Sequence, residues 1–286
     1  MNNLTQRFLL AAIALPLLVI LVLFLPYFHH VALALAAAVF SGLGTLEMAR
    51  MFSRRGVSFH PLPTFLMGIS LPLAAWVDTA GFLQTDIFLP LFTGLVLVIL
   101  SRQALILRQE YLAQAAERLS FTGFLLIYPG LLMSFLPRMT GLSEPQWLIL
   151  LFLSLIFAND SAAYGFGMLL GKGNRNIFAA SPNKSLAGLI GGVAGSLGAA
   201  YLFYAFLPGL FRQQAFLPLL PAISCSLAAN LGDLAESAVK RSTAVKDSGK
   251  ILKGRGGVMD SIDSIIFAAP VFYFVAEHLL SPGGPK

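Results

Sequence analysis

The strongest constraint on the fold of this chain is a series of long apolar runs separated by short polar connections. A membrane-spanning α-helix needs roughly 20 predominantly apolar residues to cross the hydrocarbon core of a bilayer. Of the 286 residues, 57% are hydrophobic and only 11% are charged, and the mean hydropathy is +0.80. A soluble domain carries about a quarter charged residues. The sequence therefore predicts an all-α, polytopic integral membrane protein.

Nine segments are apolar enough to form transmembrane helices. They lie near residues 8–28, 31–49, 62–80, 87–106, 119–137, 146–170, 185–207, 215–239 and 261–280. Proline and glycine interrupt the third and the fifth. The first run is longer than the apolar region of a signal peptide and lacks a clear small-residue cleavage site, so we interpret it as a retained helix.

The positions of the basic residues predict the orientation. With nine spans and a cytoplasmic N-terminus, all but three of the 19 Lys and Arg lie on the cytoplasmic side, and the exceptions are Arg138, Arg212 and Lys286. This asymmetry follows the positive-inside rule. Because the bases lie in loops between spans, they indicate membrane topology and not a nucleic-acid partner. The linker 101–120 is either an amphipathic surface helix or a solvated helical connection.

Five carboxylates are predicted to reach one side of the membrane at a similar depth. They are Asp160 in the sixth span, Asp233 and Glu236 near the end of the eighth, and Asp260 and Asp263 at the start of the ninth. A spacing of three residues places both members of each pair on one helix face. Acids at this depth are expensive and therefore usually functional. They need either basic partners or a hard divalent cation held by oxygen atoms.

Basic residues and glycine-rich loops accompany these acids. Lys184 lies in "SPNKSLAG", and six bases lie between Lys240 and Arg255 around "KDSGK" and "GRGG". Carboxylates that hold a metal, together with Lys and backbone N–H groups, are typical of a polyphosphate site. The alternative is that the bases set topology and pair with the acids structurally. The sequence contains no Walker-type phosphate loop and no His/Cys cluster for zinc. The small residues of "GLIGGVAGSLG" are expected to support close helix packing only.

The stretch "GDLAESAVKRSTAVKDSGKILKGRGGVMDSID" resembles the signature of the phosphatidate cytidylyltransferase (CDP-diacylglycerol synthase) family. The positions in register are Ser237, Lys240, Arg241, Lys246, Asp247, Gly249, Gly254, Gly256, Gly257, Asp260 and Asp263. Upstream, "NDSAAYGFGMLLGK" and "SPNKSLAGLIGG" resemble two further stretches of that family. The chain departs from the family pattern at Ala187, Lys253, Arg255 and Ser261.

The resemblance implies transfer of a cytidylyl group from CTP to phosphatidate, with Mg²⁺ as cofactor and room for two metal ions. The implied metal ligands are Asp233 and Asp260, with Asp263, Asp160 and Glu236 nearby. The implied catalytic residues are Asp233, Asp260, Lys240, Lys246 and Asp247. The implied substrate-binding residues are Lys184, Ser185, Arg241, Ser248, Gly249, Arg255, Gly256 and Gly257.

The same resemblance implies a homodimer in the bacterial inner membrane, with the active site facing the cytoplasm. We expect residues 1–140 to form about five N-terminal spans and residues 141–286 to form the catalytic spans. Three alternatives from the sequence remain: a CTP-dependent enzyme that acts on another lipid acceptor, a transporter whose acids carry protons or cations, and a catalytically inactive scaffold descended from the family.

Overall fold

The computed structural model describes residues 16–105, 109–251 and 256–280. Within these residues the protein is helical, without a β-strand and with one isolated antiparallel bridge between Arg175 and Ser185. The predicted all-α membrane architecture is confirmed. The count of nine spans and the cytoplasmic N-terminus stay predictions.

Eleven helices follow one another in the described residues. They are α1 (16–23), α2 (Tyr27–Ser53), α3 (Pro61–Thr79), α4 (Phe88–Ala104), α5 (Gln109–Leu112), α6 (Ala115–Leu125), α7 (Phe135–Arg138), α8 (Pro145–Leu170), α9 (Leu186–Phe206), α10 (Leu219–Ser242) and α11 (Met259–Val275). A π-helical turn, Leu126–Leu131, follows α6 on the way to α7, and a second one, Ala276–Leu280, follows α11.

Six helical segments of the described chain are long and apolar enough to cross a membrane. They are Tyr27–Ser53, Pro61–Thr79, Ala115–Gly141, Pro145–Gly173, Leu186–Phe206 and Met259–Leu280. Helix α4 is apolar but has only 17 residues. Helix α10 has 24 residues and is less apolar, because its second half carries the acids and bases singled out in the sequence. The first predicted span, 8–28, lies partly outside the described residues.

The proline in the fifth predicted span changes the type of helix without ending it. Pro129 lies within the π-helical turn, where the wider backbone accommodates a residue that lacks an N–H and would clash with the preceding turn of an α-helix. The same turn contains the buried Tyr128, whose hydroxyl donates a hydrogen bond of 3.1 Å to the carbonyl oxygen of Gly232 in α10. The π-helical turn therefore connects the N-terminal spans by a hydrogen bond to α10, the helix that carries Asp233 and Glu236.

Glycines allow α8 and α9 to pack in close contact. A Cβ atom on Gly195 would lie 2.5 Å from the carbonyl oxygen of Ala158 and 2.5 Å from the Cβ of Ala162. Gly191 faces Phe166 and Gly192 faces Asn159 at similarly short range. The packing role predicted for "GLIGGVAGSLG" is confirmed.

Five helices bring their ends to the same end of the bundle. The C-terminal parts of α2, α8 and α10 meet the beginnings of α9 and α11. Glu47 of α2 accepts a hydrogen bond from the backbone N–H of Val258, just before α11. Lys184, just before α9, pairs with Asp233 of α10. The candidate site lies where these helix ends converge.

Because α8 and α9 are in close contact, two Gly→Ala substitutions in α9 should differ in their effect on the stability of the protein. Gly195→Ala should destabilise the protein by about 1–3 kcal/mol, because the added methyl group meets backbone atoms of α8. In Gly198→Ala the methyl group meets no atom within 4 Å. Its effect should be neutral or stabilising by up to about 1 kcal/mol, since Ala is the better helix former. Thermal unfolding of both variants in detergent measures the difference, and equal midpoints would contradict it.

Candidate active site

Three carboxylates from two helices form a compact cluster, which we call the acid cluster: Asp233 and Glu236 of α10 and Asp263 of α11. Each offers an oxygen atom, and these atoms all lie within 4.8 Å of one another. Glu236 is fully buried and Asp263 is 7% exposed, whereas Asp233 is only partly buried. Oε1 of Glu236 has no hydrogen-bond donor among the described residues. Such a set of buried oxygen ligands could hold a metal ion.

Close contact between α10 and α11 brings the acid cluster together. A Cβ atom on Gly232 would lie 2.6 Å from the carbonyl oxygen of Asp263. A larger residue there would push the two helices apart, so glycine sets the separation at the level of Asp233 and Asp263. This glycine also accepts the hydrogen bond from Tyr128.

Two lysines compensate the charge of these acids. Lys240 contacts Oε2 of Glu236, one helical turn earlier, and its Nζ lies 2.6 Å from Oδ1 of Asp260. The Nζ of Lys184 lies 2.8 Å from Oδ2 of Asp233 and 3.3 Å from the carbonyl oxygen of Asn230. The bases and acids predicted from the sequence thus meet in one network.

Asp260 organises the segment that precedes α11. Its Oδ1 pairs with Lys240, and its Oδ2 accepts hydrogen bonds from the backbone N–H groups of Gly257 (2.7 Å) and Ser248 (2.9 Å). The Ser248 hydroxyl lies 2.9 Å from the same oxygen. Gly256 has φ +102°, a conformation that favours glycine, and a Cβ there would lie 2.6 Å from Oδ2 of Asp260. Both oxygens of Asp260 therefore have hydrogen-bond donors, and Asp260 lies outside the acid cluster.

Glu47 of α2 is a site residue that the sequence analysis missed. It is 1% exposed, and its oxygens accept hydrogen bonds from the backbone N–H groups of Val258 (3.0 Å) and Met259 (2.9 Å). The Ser248 hydroxyl lies 3.0 Å from its Oε2. Because a hydroxyl has one proton, Ser248 donates to Glu47 or to Asp260 at any moment. The sequence feature that could have identified Glu47 is its position as an acid inside an apolar run, because such acids are usually functional.

Asp160 is not a member of the acid cluster. It is exposed on α8 and accepts a hydrogen bond of 3.1 Å from the side chain of Asn159. Oδ1 of Asn159 accepts hydrogen bonds from the Ser226 hydroxyl (2.6 Å) and the Asn230 amide (3.1 Å). Asn159 therefore joins α8 to α10 beneath the site, a role that the sequence analysis did not assign.

The remaining predicted residues lie around this network. Ser185 caps α9 by accepting a hydrogen bond of 3.0 Å from the N–H of Gly188. Arg241 donates to the carbonyl oxygens of Ala180 (3.4 Å) and Val245 (3.5 Å). Lys246 and Asp247 are exposed, and Arg255 lies outside the described residues. Gly249 and Gly257 pack against the carboxylate of Glu47.

Comparison with known proteins gives one family across nearly the whole chain. The model of the cytidylyltransferase family matches residues 5–279. A protein named phosphatidate cytidylyltransferase from Synechocystis is 31% identical, with 96% of this chain and 97% of that protein covered. Its namesake from Staphylococcus haemolyticus is 30% identical, with 80% and 85% covered. The uncharacterized protein YnbB of Escherichia coli is 38% identical over 139 residues, which span 49% of this chain and 45% of that protein.

The contacts of Glu47 predict a stabilising role for this residue. Glu47→Gln keeps the size of the side chain but replaces one acceptor oxygen with an NH₂ group, so one of the two N–H groups, that of Val258 or that of Met259, loses its acceptor. We expect a loss of about 1–3 kcal/mol in stability, the cost of a buried polar group left without a partner. Thermal unfolding, together with faster hydrogen exchange of the Val258 and Met259 amides, measures the effect.

Glu117→Gln is the matched control. Glu117 is partly exposed and lies 3.9 Å from the exposed Arg55, so its loss should cost at most about 1 kcal/mol. Equal unfolding midpoints and equal exchange rates in the two variants would show that Glu47 does not hold this segment.

Proposed function

The chain belongs to the cytidylyltransferase family, and from this premise we propose that it transfers a cytidylyl group from CTP to phosphatidate, releasing CDP-diacylglycerol and pyrophosphate. The observation that carries the proposal is the acid cluster flanked by Lys184 and Lys240 at one end of a bundle of membrane helices. A reaction between a soluble triphosphate and a lipid phosphate needs acidic metal ligands and cations at the membrane interface. Relatives named phosphatidate cytidylyltransferase that align over most of the chain support this choice of substrates.

The acid cluster fits a divalent metal ion. The four carboxylates in this network, Asp233, Glu236, Asp260 and Asp263, carry two more charges than Lys184 and Lys240 balance when all six groups are ionised. Burial makes such an excess costly, and Oε1 of Glu236 has no donor in the described chain.

We propose that Asp233, Glu236 and Asp263 hold Mg²⁺, whose preferred ligands are oxygen atoms. When bound, Mg²⁺ neutralises phosphate charge. The predicted role of Asp260 as a ligand stays a prediction: its Oδ2 faces three donors, whereas its Oδ1 contacts Lys240 alone and keeps a second lone pair that an ion can use. Asp160 is a candidate ligand only for a second, more exposed ion.

Lys184 is positioned to exchange its carboxylate partner for a phosphate oxygen. Lys184 is 19% exposed and pairs with the partly exposed Asp233, so a phosphate group can reach it from the water side. Lys240 is more deeply buried and lies between Glu236 and Asp260. Arg241 donates hydrogen bonds to the backbone of two segments, at Ala180 and at Val245. We propose that its role is to position these two segments.

The reaction needs positioning more than acid–base catalysis. An oxygen of the lipid phosphate forms a bond to the α-phosphorus of CTP, and the bond from that phosphorus to the oxygen bridging to the β-phosphate breaks. The nucleophile is already an anion, so no residue has to remove a proton. The cationic side chains therefore act by lowering the repulsion between two anions and by holding them in line.

The location of the site agrees with these substrates. We infer that it faces the cytoplasm, because the helix ends that form it adjoin the loops that carry most of the Lys and Arg residues. CTP then enters from water, and phosphatidate enters from the lipid bilayer of the inner membrane. Assembly as a homodimer is a further proposal, based on the family resemblance, and light scattering of the purified protein tests it.

The function is tested by lipid labelling with purified protein, α-³²P-labelled CTP, phosphatidate and Mg²⁺. We expect label in the organic phase with the wild-type protein and none with EDTA. Asp233→Asn should lower the rate by more than about 100-fold, since even the outer partners of a metal ligand cost 10–100-fold.

Asp86→Asn is the matched control. Asp86 is exposed and lies between α3 and α4, away from the acid cluster, so its substitution should leave the rate unchanged. Labelling that resists EDTA, or full activity of Asp233→Asn, would contradict the metal assignment. Binding of CTP without labelling of phosphatidate would indicate another lipid acceptor.

A further inference from the structure

Helix α2 forms one wall of a cavity that lies beside the signature segment. The cavity has a volume of about 430 Å³ and lies between the last turns of α2 and residues 244–250. Its lining residues are Arg50, Met51, Arg54, Ala244, Val245, Lys246, Asp247, Ser248, Gly249 and Lys250. Arg50 and Met51 belong to α2 and Arg54 is its C-cap residue, so all three lie outside the signature and outside the two upstream stretches. We call this space the α2 cleft.

The α2 cleft collects uncompensated positive charge. Arg50 and Arg54 line it on one side and Lys246 and Lys250 on the other, with Asp247 as the one acid. None of these four cations forms an ion pair with any residue in the described ranges 16–105, 109–251 and 256–280. Cations from two separate segments that face one space repel one another unless an anion lies between them. The lining therefore favours a ligand with several negative charges.

The geometry of α2 explains why its arginines reach the cleft. Glu47, Arg50 and Arg54 follow a spacing of three and four residues, so they lie on one face of the last two turns. Glu47 is fixed by the N–H groups of Val258 and Met259. This anchor holds the face of α2 against the segment before α11, and the two arginines then lie opposite residues 246–250.

The α2 cleft is connected to the acid cluster by a short chain of contacts. Ser248 lines the cleft and donates its backbone N–H to Asp260. Asp260 pairs with Lys240, and Lys240 contacts Glu236 of the acid cluster. A nucleotide with its α-phosphate near the acid cluster and its outer phosphates in the water-exposed cleft would lie along this row of residues.

We propose that the α2 cleft binds the β- and γ-phosphates of CTP through Arg50 and Arg54 of α2 and Lys246 and Lys250 of the signature segment. The proposal rests on the proposed function for the identity of the nucleotide. The α-phosphorus has to meet the lipid phosphate at the membrane, so the leaving pyrophosphate lies on the side that opens to water. Arginine suits this role because its guanidinium group donates two parallel hydrogen bonds to phosphate oxygens.

Two ordinary roles for these arginines need separating from phosphate binding. Arginines at the cytoplasmic end of a span set topology, and arginines at the C-terminal end of a helix interact favourably with its dipole. Arg55 also lies at the C-terminal end of α2, so it can set topology and interact with the helix dipole in the same way. It lies 3.9 Å from Glu117, however, and does not line the cleft. It is therefore the matched control for Arg50 and Arg54.

The test compares Arg50→Gln, Arg54→Gln and Arg55→Gln in full-length protein in detergent with Mg²⁺. All three residues are exposed, so we expect each variant to fold. Equilibrium dialysis with labelled CTP and labelled CMP measures binding, and lipid labelling gives separate KM values for CTP and phosphatidate. CMP lacks the outer phosphates, so its binding reports the rest of the nucleotide site.

We expect Arg50→Gln and Arg54→Gln each to weaken CTP binding about tenfold, which is what one charge-assisted hydrogen bond contributes. CMP binding, the KM for phosphatidate and all properties of Arg55→Gln should stay unchanged. Unchanged CTP affinity in both variants would overturn the proposal, as would an equal loss for CMP or a rise in the KM for phosphatidate alone.

The same measurements separate this inference from the proposed function. Wild-type protein that binds CTP and labels no phosphatidate would refute the proposed substrate. The cleft assignment would still hold if the two α2 variants weakened CTP binding. Wild-type protein that labels lipid while these variants bind CTP normally would refute the cleft alone.

Discussion

The carboxylate of Asp260 joins parts of the protein that are far apart in the sequence. One oxygen pairs with Lys240 of α10, and the other accepts hydrogen bonds from Ser248 and Gly257, at the two ends of the segment before α11. Glu47 of α2 contacts Ser248 as well and accepts a hydrogen bond from the N–H of Val258. Charge-assisted hydrogen bonds to backbone N–H groups are among the stronger polar interactions, especially when they are buried. These two acids thus fix the positions of Ser248 and Gly257 relative to α2 and α10.

Once Asp260 and Glu47 are engaged in this way, the acid cluster is left with an excess of negative charge. Lys184 and Lys240 each contact one of its members, and Asp263 has no basic partner among the described residues. A bundle of apolar helices gains nothing in stability from such an arrangement, because burial of charge is costly. The arrangement is understandable if the site binds a cation and then brings two anions together, as a cytidylyltransferase has to do.

The sequence was sufficient to predict the helical membrane fold, since apolar length and loop charge depend on local composition. It also identified Asp233, Glu236 and Asp263, because acids in apolar helices are rare. The family resemblance made Asp260 a metal ligand together with Asp233, and the hydrogen bonds that Asp260 accepts from Ser248 and Gly257 appear only when the segment is folded. Glu47 was missed because its partners lie about 200 residues away in the chain, and no local spacing indicates such contacts.

The most direct test of this account is the position of a bound metal ion in a crystal grown with CTP and Mn²⁺ in place of Mg²⁺. The account predicts one anomalous peak at about 2.1 Å from oxygens of Asp233, Glu236 and Asp263, the distance typical of small divalent cations. The contacts of Asp260 with Lys240 and Ser248 should be intact in the same crystal. A peak on Asp260 with Lys240 displaced, or no peak at the acid cluster, would contradict the account.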